Sequence, residues 1–125
     1  PATNDSINDK RNNPTPAMIY DADMDRLKNC DILLVNINGG HQDGTIFEVG
    51  AVCFSNELKQ IYKINPTLII PFTRNQRLLD TQLHNGLASA SVNHLVLGGL
   101  EKWSGVKGLL TFKQAIERLK EIKND

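Results

Sequence analysis

The stretch Asp31-Ile-Leu-Leu-Val-Asn-Ile37, followed by Asn38-Gly-Gly-His-Gln-Asp-Gly44, decides the fold class of this chain. The first part is a short and almost continuously apolar run, which is typical of a strand in a parallel sheet covered on both faces. The second part consists of turn-forming residues, and a segment with helical periodicity, Thr45–Leu58, follows it. A threonine at the start of that segment is a common helix cap. A buried strand, a loop and a helix in this order predict one unit of an α/β fold.

The same alternation continues on both sides of this stretch. Pro16 occupies a position that a helix accepts in its first turn, and an amphipathic segment follows it. We predict one domain, residues 1–125, with a three-layer α/β fold around a mostly parallel sheet. Its three strands make a thin sheet, because about five is the norm for sheets. The further predicted helices are Ala17–Asn29, Arg74–His84 and Thr111–Lys123, and the further predicted strands are Thr67–Pro71 and His94–Leu97.

Composition limits the classes of partner. The chain has 125 residues, 40% of them apolar, and 14 basic residues balance 14 acidic ones. A net charge of zero gives no electrostatic reason to expect a nucleic acid or an anionic membrane as partner, so we expect a small ligand. No apolar run approaches the ~20 residues that span a bilayer, and the polar start has no signal-peptide pattern. We interpret Cys30 and Cys53 as reduced thiols and predict a cytoplasmic protein.

The loop after Ile37 is the candidate site, because ligands of parallel α/β sheets bind beyond the carboxyl ends of the strands. Gly44 would let the backbone approach a ligand closely. Glu48 stands three residues after Thr45, which is also the spacing of a capping box, in which the carboxylate binds the amide of the helix cap. From the residues alone, both a ligand-binding and a capping role for Glu48 remain open.

The segment Asp43-Gly-Thr-Ile-Phe-Glu48-Val-Gly50 resembles the signature of the nucleoside 2-deoxyribosyltransferase family. That signature has an Asp, then Gly-Ser or Gly-Thr, two further residues, Glu, an aliphatic residue and Gly. The Glu is the family's nucleophile, so the resemblance implies this role for Glu48 and a substrate-binding role for Gly44 and Thr45. The resemblance extends over residues 5–122.

Two further carboxylates of the family have counterparts to consider. One lies on the preceding helix, four residues before the aliphatic residue ahead of the strand, and Asp23 takes this place relative to Leu27. The resemblance implies that Asp23 is the acid that protonates the departing base, although a solvated helical Asp is the alternative. The other lies six residues before the Glu, where this chain has Gln42. Either Asp43 takes over this role or the Gln42 amide recognises the base.

A third family element is an Asn-x-Met or Asn-x-Leu motif whose Asn contacts the sugar, in many members across a subunit interface. Asn85-Gly86-Leu87 fits this pattern, with a simple Asn-Gly turn as the alternative. The resemblance therefore implies that Asn85 and Leu87 bind substrate and that the protein is a homo-oligomer.

The function that the resemblance implies is the cleavage and transfer of N-glycosidic bonds of 2′-deoxynucleosides on a flavodoxin-like sheet. The ligands would be a nucleoside and a free nucleobase, with no metal or organic cofactor, because two carboxylates suffice for this chemistry. A deoxynucleoside 5′-monophosphate N-glycosidase is one alternative. A non-catalytic nucleotide-binding or sensor subunit is another.

The family's first strand-helix-strand segment, with its sugar-contacting Tyr, has no counterpart in this chain. Tyr20 falls on a predicted helix and Tyr62 follows the Glu48 helix, so neither takes that place. In the family's sheet the first strand pairs with the counterpart of Asp31–Ile37. We therefore expect one edge of Asp31–Ile37 to be paired by a strand from outside these 125 residues.

Overall fold

The computed structural model describes residues 13–81 and 92–124. The chain divides into two compact units, residues 1–30 and 31–125. The first contains helix α1 (Pro16–Lys28). Thr15 caps this helix, because its side-chain oxygen accepts a hydrogen bond of 3.2 Å from the Met18 amide. Pro16 follows at a position where its missing N–H costs nothing. The helix predicted over Ala17–Asn29 is confirmed.

The second unit contains a parallel sheet and four described helices. Its elements, in chain order, are β1 (Ile32–Asn36), α2 (Asp43–Ile61), β2 (Leu68–Thr73), α3 (Gln76–Thr81), α4 (His94–Ser104), β3 (Leu110–Thr111) and α5 (Phe112–Asn124). None of the helices in the described part of the chain combines the length and apolar character needed to cross a lipid bilayer.

The three described strands form one parallel sheet in the order β1-β2-β3. Strand β1 pairs with β2 from Ile32 opposite Leu68 to Asn36 opposite Phe72, and β2 pairs with β3 at its last two residues. The predicted α/β class and parallel pairing are confirmed. Among the described residues β2 is the central strand, and β1 has a strand on one side only.

The central strand is buried on both faces. Ile70 and Phe72 form a core with Ala115 of α5, and Leu119 and Ile122 of that helix pack against it. Ile69 and Thr73 project from the opposite face of β2 and are also buried. The sequence of β2 is apolar without alternation, and the structure confirms the burial on both faces that such a sequence predicts.

A buried asparagine joins helix α2 to the start of β2. The Asn56 side chain donates a hydrogen bond of 2.9 Å to the Thr67 carbonyl and accepts one of 2.8 Å from the Thr67 amide. Lys59, one turn further along α2, donates to the Thr67 hydroxyl at 3.1 Å. Because the Asn56 amide satisfies both backbone groups of Thr67 just before β2 begins, it fixes where the helix lies relative to the strand.

The strand predicted at His94–Leu97 is wrong, because these residues form the first turn of α4. The Asn93 side chain accepts hydrogen bonds from the amides of Leu95 and Val96, and this cap starts a helix. The third strand lies further along at Leu110–Thr111, where two residues are too few to give a sequence pattern. A run of three apolar residues after a histidine does not distinguish a strand from the start of a buried helix.

Candidate functional site

The loop between β1 and α2 is held by the side chain of Gln42. The Gln42 Nε2 donates to the carbonyl of Asn36 at 2.7 Å, and its Oε1 accepts from the amide of Asn38 at 2.9 Å. Both polar ends of the amide are therefore bonded to backbone groups, one at the end of β1 and one in the loop that follows it. In this arrangement the Gln42 side chain stabilises the loop. The resemblance left open a role for Gln42 in base recognition, and that role would require these two hydrogen bonds to break.

One of the two groups that Gln42 binds, the Asn36 carbonyl, belongs to the edge of β1 that faces away from β2. The Ile37 amide donates to Phe72, and the Asp31 carbonyl accepts from Leu68, so odd-numbered residues point their backbone groups toward β2. Backbone groups alternate along a strand, which places those of Asn36, the last residue of β1, on the outer edge. The Gln42 amide thus pairs there as a neighbouring peptide group would.

A second loop at the same end of the sheet is tied to the first. The Asn75 side chain, just after β2, donates to the Asn38 carbonyl at 3.0 Å. The Asn38 side chain in turn accepts from the Gly40 amide at 2.8 Å. Gly39 between them has φ +84°, a conformation that favours glycine. Asn38 and Asn75 shape this end of the sheet and were not singled out from the sequence, although each lies two residues after the end of a strand.

Helix α2 begins two residues before the predicted Thr45, at Asp43, with Gln42 at the cap position. Gln42 makes no side-chain cap bond, because its amide is engaged with the loop. Asp43 lies in the first turn, where a negative charge interacts favourably with the helix dipole and stabilises the helix. Glu48 lies in the second turn, so the predicted first-turn position is wrong and the capping-box alternative no longer applies.

Three of the predicted site residues share one side of α2. At about 100° per residue, Gly44 lies about 40° and Thr45 about 60° from Glu48 on its two sides, so the three residues span about 100° around the helix. Thr45 and Glu48 are half-buried, and Gly44 is exposed, with open space where a Cβ would stand. That open space means that no described group of this chain approaches the Gly44 backbone closely. Asp43 lies elsewhere around the helix, so Asp43 and Glu48 are not presented together.

The predicted acid Asp23 belongs to the other compact unit, residues 1–30. Its carboxylate forms an ion pair of 3.3 Å with Arg26 on the same helix. A side chain three residues away on the same helix explains this position without a ligand. The predicted substrate-binding residues Asn85 and Leu87 lie outside the described residues.

A cleft of about 320 Å³ lies at the carboxyl end of β1, where the fold predicts a ligand site. Its lining comes from the loop after β1, from Ile46 on α2 and from the start of α4. Of the predicted site residues that the structure describes, only Gln42 lines it. Glu48 is about 200° around the helix from Ile46, so its side chain leaves α2 on the side away from this cleft.

A larger cleft of about 600 Å³ lies between α2 and α4 and adjoins the first one through Ile46, Leu95 and Val96. Most of its lining is apolar, and its polar groups include the ion pair between Glu57 and Lys102, 2.7 Å apart. The sequence reasoning missed this cleft, because it assigned His94–Leu97 to a strand. The spacing of Ile46, Val49, Cys53 and Glu57 would have indicated the face of α2 that lines it.

Cys53 lies in the wall of this larger cleft. Burial raises the pKa of its thiol, the Glu57 carboxylate raises it further, and the Lys102 ammonium lowers it. A thiol with a raised pKa is a weak nucleophile, which agrees with the interpretation of Cys53 as a reduced structural residue. No cluster of three or more metal-binding side chains occurs within residues 13–81 and 92–124.

The geometry therefore separates two features at the start of α2. One is the side that presents Gly44, Thr45 and Glu48, and the other is the pair of clefts toward α4.

Comparisons with protein-family models, with curated proteins and with solved structures gave no match to this chain.

Proposed function

We propose that the protein cleaves and transfers the N-glycosidic bond of 2′-deoxynucleosides, with Glu48 as the nucleophile. The observation that carries this proposal is the common side of Gly44, Thr45 and Glu48 in the first two turns of α2. This helix directly follows a parallel strand, at the end of the sheet where α/β proteins bind ligands. The parallel α/β sheet is also compatible with the three-layer, flavodoxin-like arrangement that the resemblance implies.

The chemistry requires one carboxylate and one proton donor. A Glu48 oxygen attacks C1′ of the deoxyribose, the C1′–N bond breaks, and its electron pair leaves with the base, which takes up a proton. A nitrogen of a second base, or water, then attacks C1′ and gives its proton to the acid that protonated the first base, while the ester bond breaks to return the carboxylate. The resemblance assigns the proton to Asp23, and Asp23→Asn tests that part of the proposal separately.

The position of Glu48 suits this role. A half-buried carboxylate in the second turn of a helix is held more firmly than one on a loop, and positioning of the nucleophile contributes much of the rate in such reactions. Gly44 on the same side leaves open space beside the helix start, which a sugar could occupy. Thr45 adds a hydroxyl that can bind a sugar oxygen or, in a monophosphate, a phosphate near the helix N-terminus.

The test is a base-exchange assay with one deoxynucleoside and a different free base, read by chromatography. Glu48→Gln keeps the size of the side chain and removes the nucleophile, so we expect at least roughly a 1,000-fold loss of exchange. Folding should be retained, because the glutamine amide has nearly the same shape and can still accept hydrogen bonds. Glu117→Gln, on an exposed face of α5, is the matched control and should leave exchange unchanged.

Three further measurements on the same proteins separate the alternatives. Acid-quenched protein should carry the mass of one deoxyribosyl group on the peptide that contains Glu48, and Glu48→Gln should not. Faster release of base from a deoxynucleoside 5′-monophosphate than from the nucleoside would assign the substrate to the phosphorylated form. Binding of either compound by the wild-type protein without any turnover would contradict the proposal and favour the sensor role.

A further inference from the structure

The turn after β1 contains an asparagine followed by two glycines, Asn38-Gly39-Gly40. All three residues are exposed, so water reaches both the side chain and the backbone. The side-chain amide of an asparagine is open to attack by the backbone nitrogen of the next residue, and a glycine there hinders the attack least because it has no Cβ. The Gly39 amide makes no hydrogen bond within the described part of the chain, so its nitrogen is accessible for this attack.

The Asn38 side chain is folded back over the peptide group that it shares with Gly39. Its Oδ1 accepts a hydrogen bond of 2.8 Å from the Gly40 amide, two residues further along the chain. A bond of this kind is an Asx turn, in which the side chain follows the path of the backbone. It therefore holds Cγ of Asn38 on the side of the Gly39 nitrogen that would attack it.

Hydrogen bonds are made to both oxygens that gain negative charge in such an attack. When the Gly39 amide loses its proton, the charge is shared with the Asn38 backbone carbonyl, because both atoms belong to one conjugated peptide group. That carbonyl accepts a hydrogen bond of 3.0 Å from the Asn75 side chain. When the nitrogen then adds to Cγ, the charge moves to Oδ1, to which the Gly40 amide donates. Donors that stand where charge develops lower the barrier of a reaction.

We propose that Asn38 is a site of spontaneous deamidation and that the folded loop promotes the reaction. The Gly39 nitrogen bonds to Cγ of Asn38, the bond from Cγ to Nδ2 breaks, and ammonia leaves with the proton that Gly39 gave up. Water then opens the cyclic imide at either of its carbonyls, which leaves an aspartate or an isoaspartate at position 38. The product adds a negative charge beside the cleft of about 320 Å³ that Gly39 and Gly40 line. The proposal is independent of the proposed function.

The first test incubates the purified chain at mildly alkaline pH and follows position 38 by mass spectrometry of its proteolytic peptides. A methyltransferase specific for isoaspartate gives a second readout. The reference is a synthetic peptide of residues 34–42, which lacks the Asn75 donor and the fixed turn. We expect Asn38 to react roughly threefold to tenfold faster in the folded chain than in this peptide, because one or two hydrogen bonds are gained in the transition state.

Asn93 is the matched control within the same chain. Its Oδ1 also accepts a hydrogen bond of 2.8 Å from the amide two residues further along, but a histidine follows it in place of a glycine. We therefore expect Asn93 to stay unmodified while Asn38 reacts. Peptide mapping distinguishes position 38 from Asn85-Gly86, the other Asn-Gly pair of the sequence.

The second test separates the donor from the rigidity of the loop. Asn75→Ala removes the hydrogen bond to the Asn38 carbonyl, and we expect deamidation to become about threefold slower. Gln42→Ala removes a different bond of the same loop, to the Asn38 amide, and should not slow the reaction. Circular dichroism checks that both variants are folded. Deamidation of Asn38 no faster than in the peptide, or equal rates in Asn75→Ala and Gln42→Ala, would overturn the proposal.

Discussion

At the scale of single residues, the resemblance and the structure suggest different roles for the side chain of Gln42. The resemblance placed Gln42 where the family has a carboxylate, which left base recognition open to its amide. The structure uses both ends of that amide, on the Asn36 carbonyl and the Asn38 amide. Spacing along a motif does not reveal such a contact, because it depends on how the loop folds back on the strand.

This assignment predicts that Gln42→Ala lowers stability. The Asn36 carbonyl of β1 and the Asn38 amide of the loop lose their partner. Because both bonds are exposed, these groups can bind water instead, so we expect a loss of about 1 kcal/mol in the free energy of unfolding. Urea denaturation measures it. Gln60→Ala, at an exposed position late in α2, is the control and should change stability by less than about 0.5 kcal/mol. An unchanged stability in Gln42→Ala, with weaker substrate binding, would return Gln42 to the ligand.

The Cys53 thiol gives a prediction that depends on pH. Burial and the Glu57 carboxylate both raise its pKa, so the folded state favours the neutral thiol. Its contribution to stability is full below the pKa of the unfolded thiol and is lost as pH rises through the folded pKa. Glu57→Gln should lower the pKa of Cys53 and speed its alkylation at a fixed, mildly alkaline pH. The rates are compared in a Cys30→Ser background, and slower alkylation in Glu57→Gln would contradict the assignment.

At the scale of elements, the sequence predicts well where a long pattern or a strong start signal exists. Helices α1, α2 and α5 and strands β1 and β2 all lie close to their predicted bounds. The errors fall on short segments. Leu110–Thr111 pairs only with the last two residues of β2. His94–Leu97 is helical because Asn93 caps the helix and the residues after Leu97 continue it. Strand β3 depends on its pairing with β2, and the helix at His94–Leu97 depends on the residues on either side of it, so a four-residue pattern predicts neither.

The link between α2 and β2 predicts a large effect from one buried residue. Asn56→Leu fills a similar volume but leaves the amide and carbonyl of Thr67 without their partner, so we expect a loss of about 2–5 kcal/mol. Chemical denaturation measures this loss. The control is Ser55→Ala, at the neighbouring and half-buried position on α2, which should cost under about 1 kcal/mol. Equal effects of the two substitutions would show that the Asn56 bonds contribute little.

At the scale of the whole molecule, the alternation of strands and helices was enough to predict a parallel α/β sheet, but not the position of β1 within it. An apolar run indicates burial on both faces and says nothing about which edges are paired. The candidate site depends on that missing information. Glu48, Gly44 and Thr45 are placed by α2 alone, whereas the groups that would complete a site around them come from parts of the chain whose arrangement no local pattern specifies.

The edge of β1 supplies the last prediction. Odd-numbered residues of β1 bond to β2, so the amides of Ile32 and Leu34 point to the outer edge, where no strand lies beside them in the described residues. Leu34 is 41% exposed, whereas Val35 is 4% exposed. We therefore expect the Leu34 amide to exchange with solvent deuterium roughly 100-fold faster than the Val35 amide, measured by NMR. Beyond Leu34 the Gln42 side chain occupies the edge, so a strand from outside these residues would pair along Ile32–Leu34 and would slow exchange at Leu34 selectively. Equal protection of Leu34 and Val35 in the isolated chain would mean that the outer edge is already covered, and the expected strand from outside would then have no place to bind.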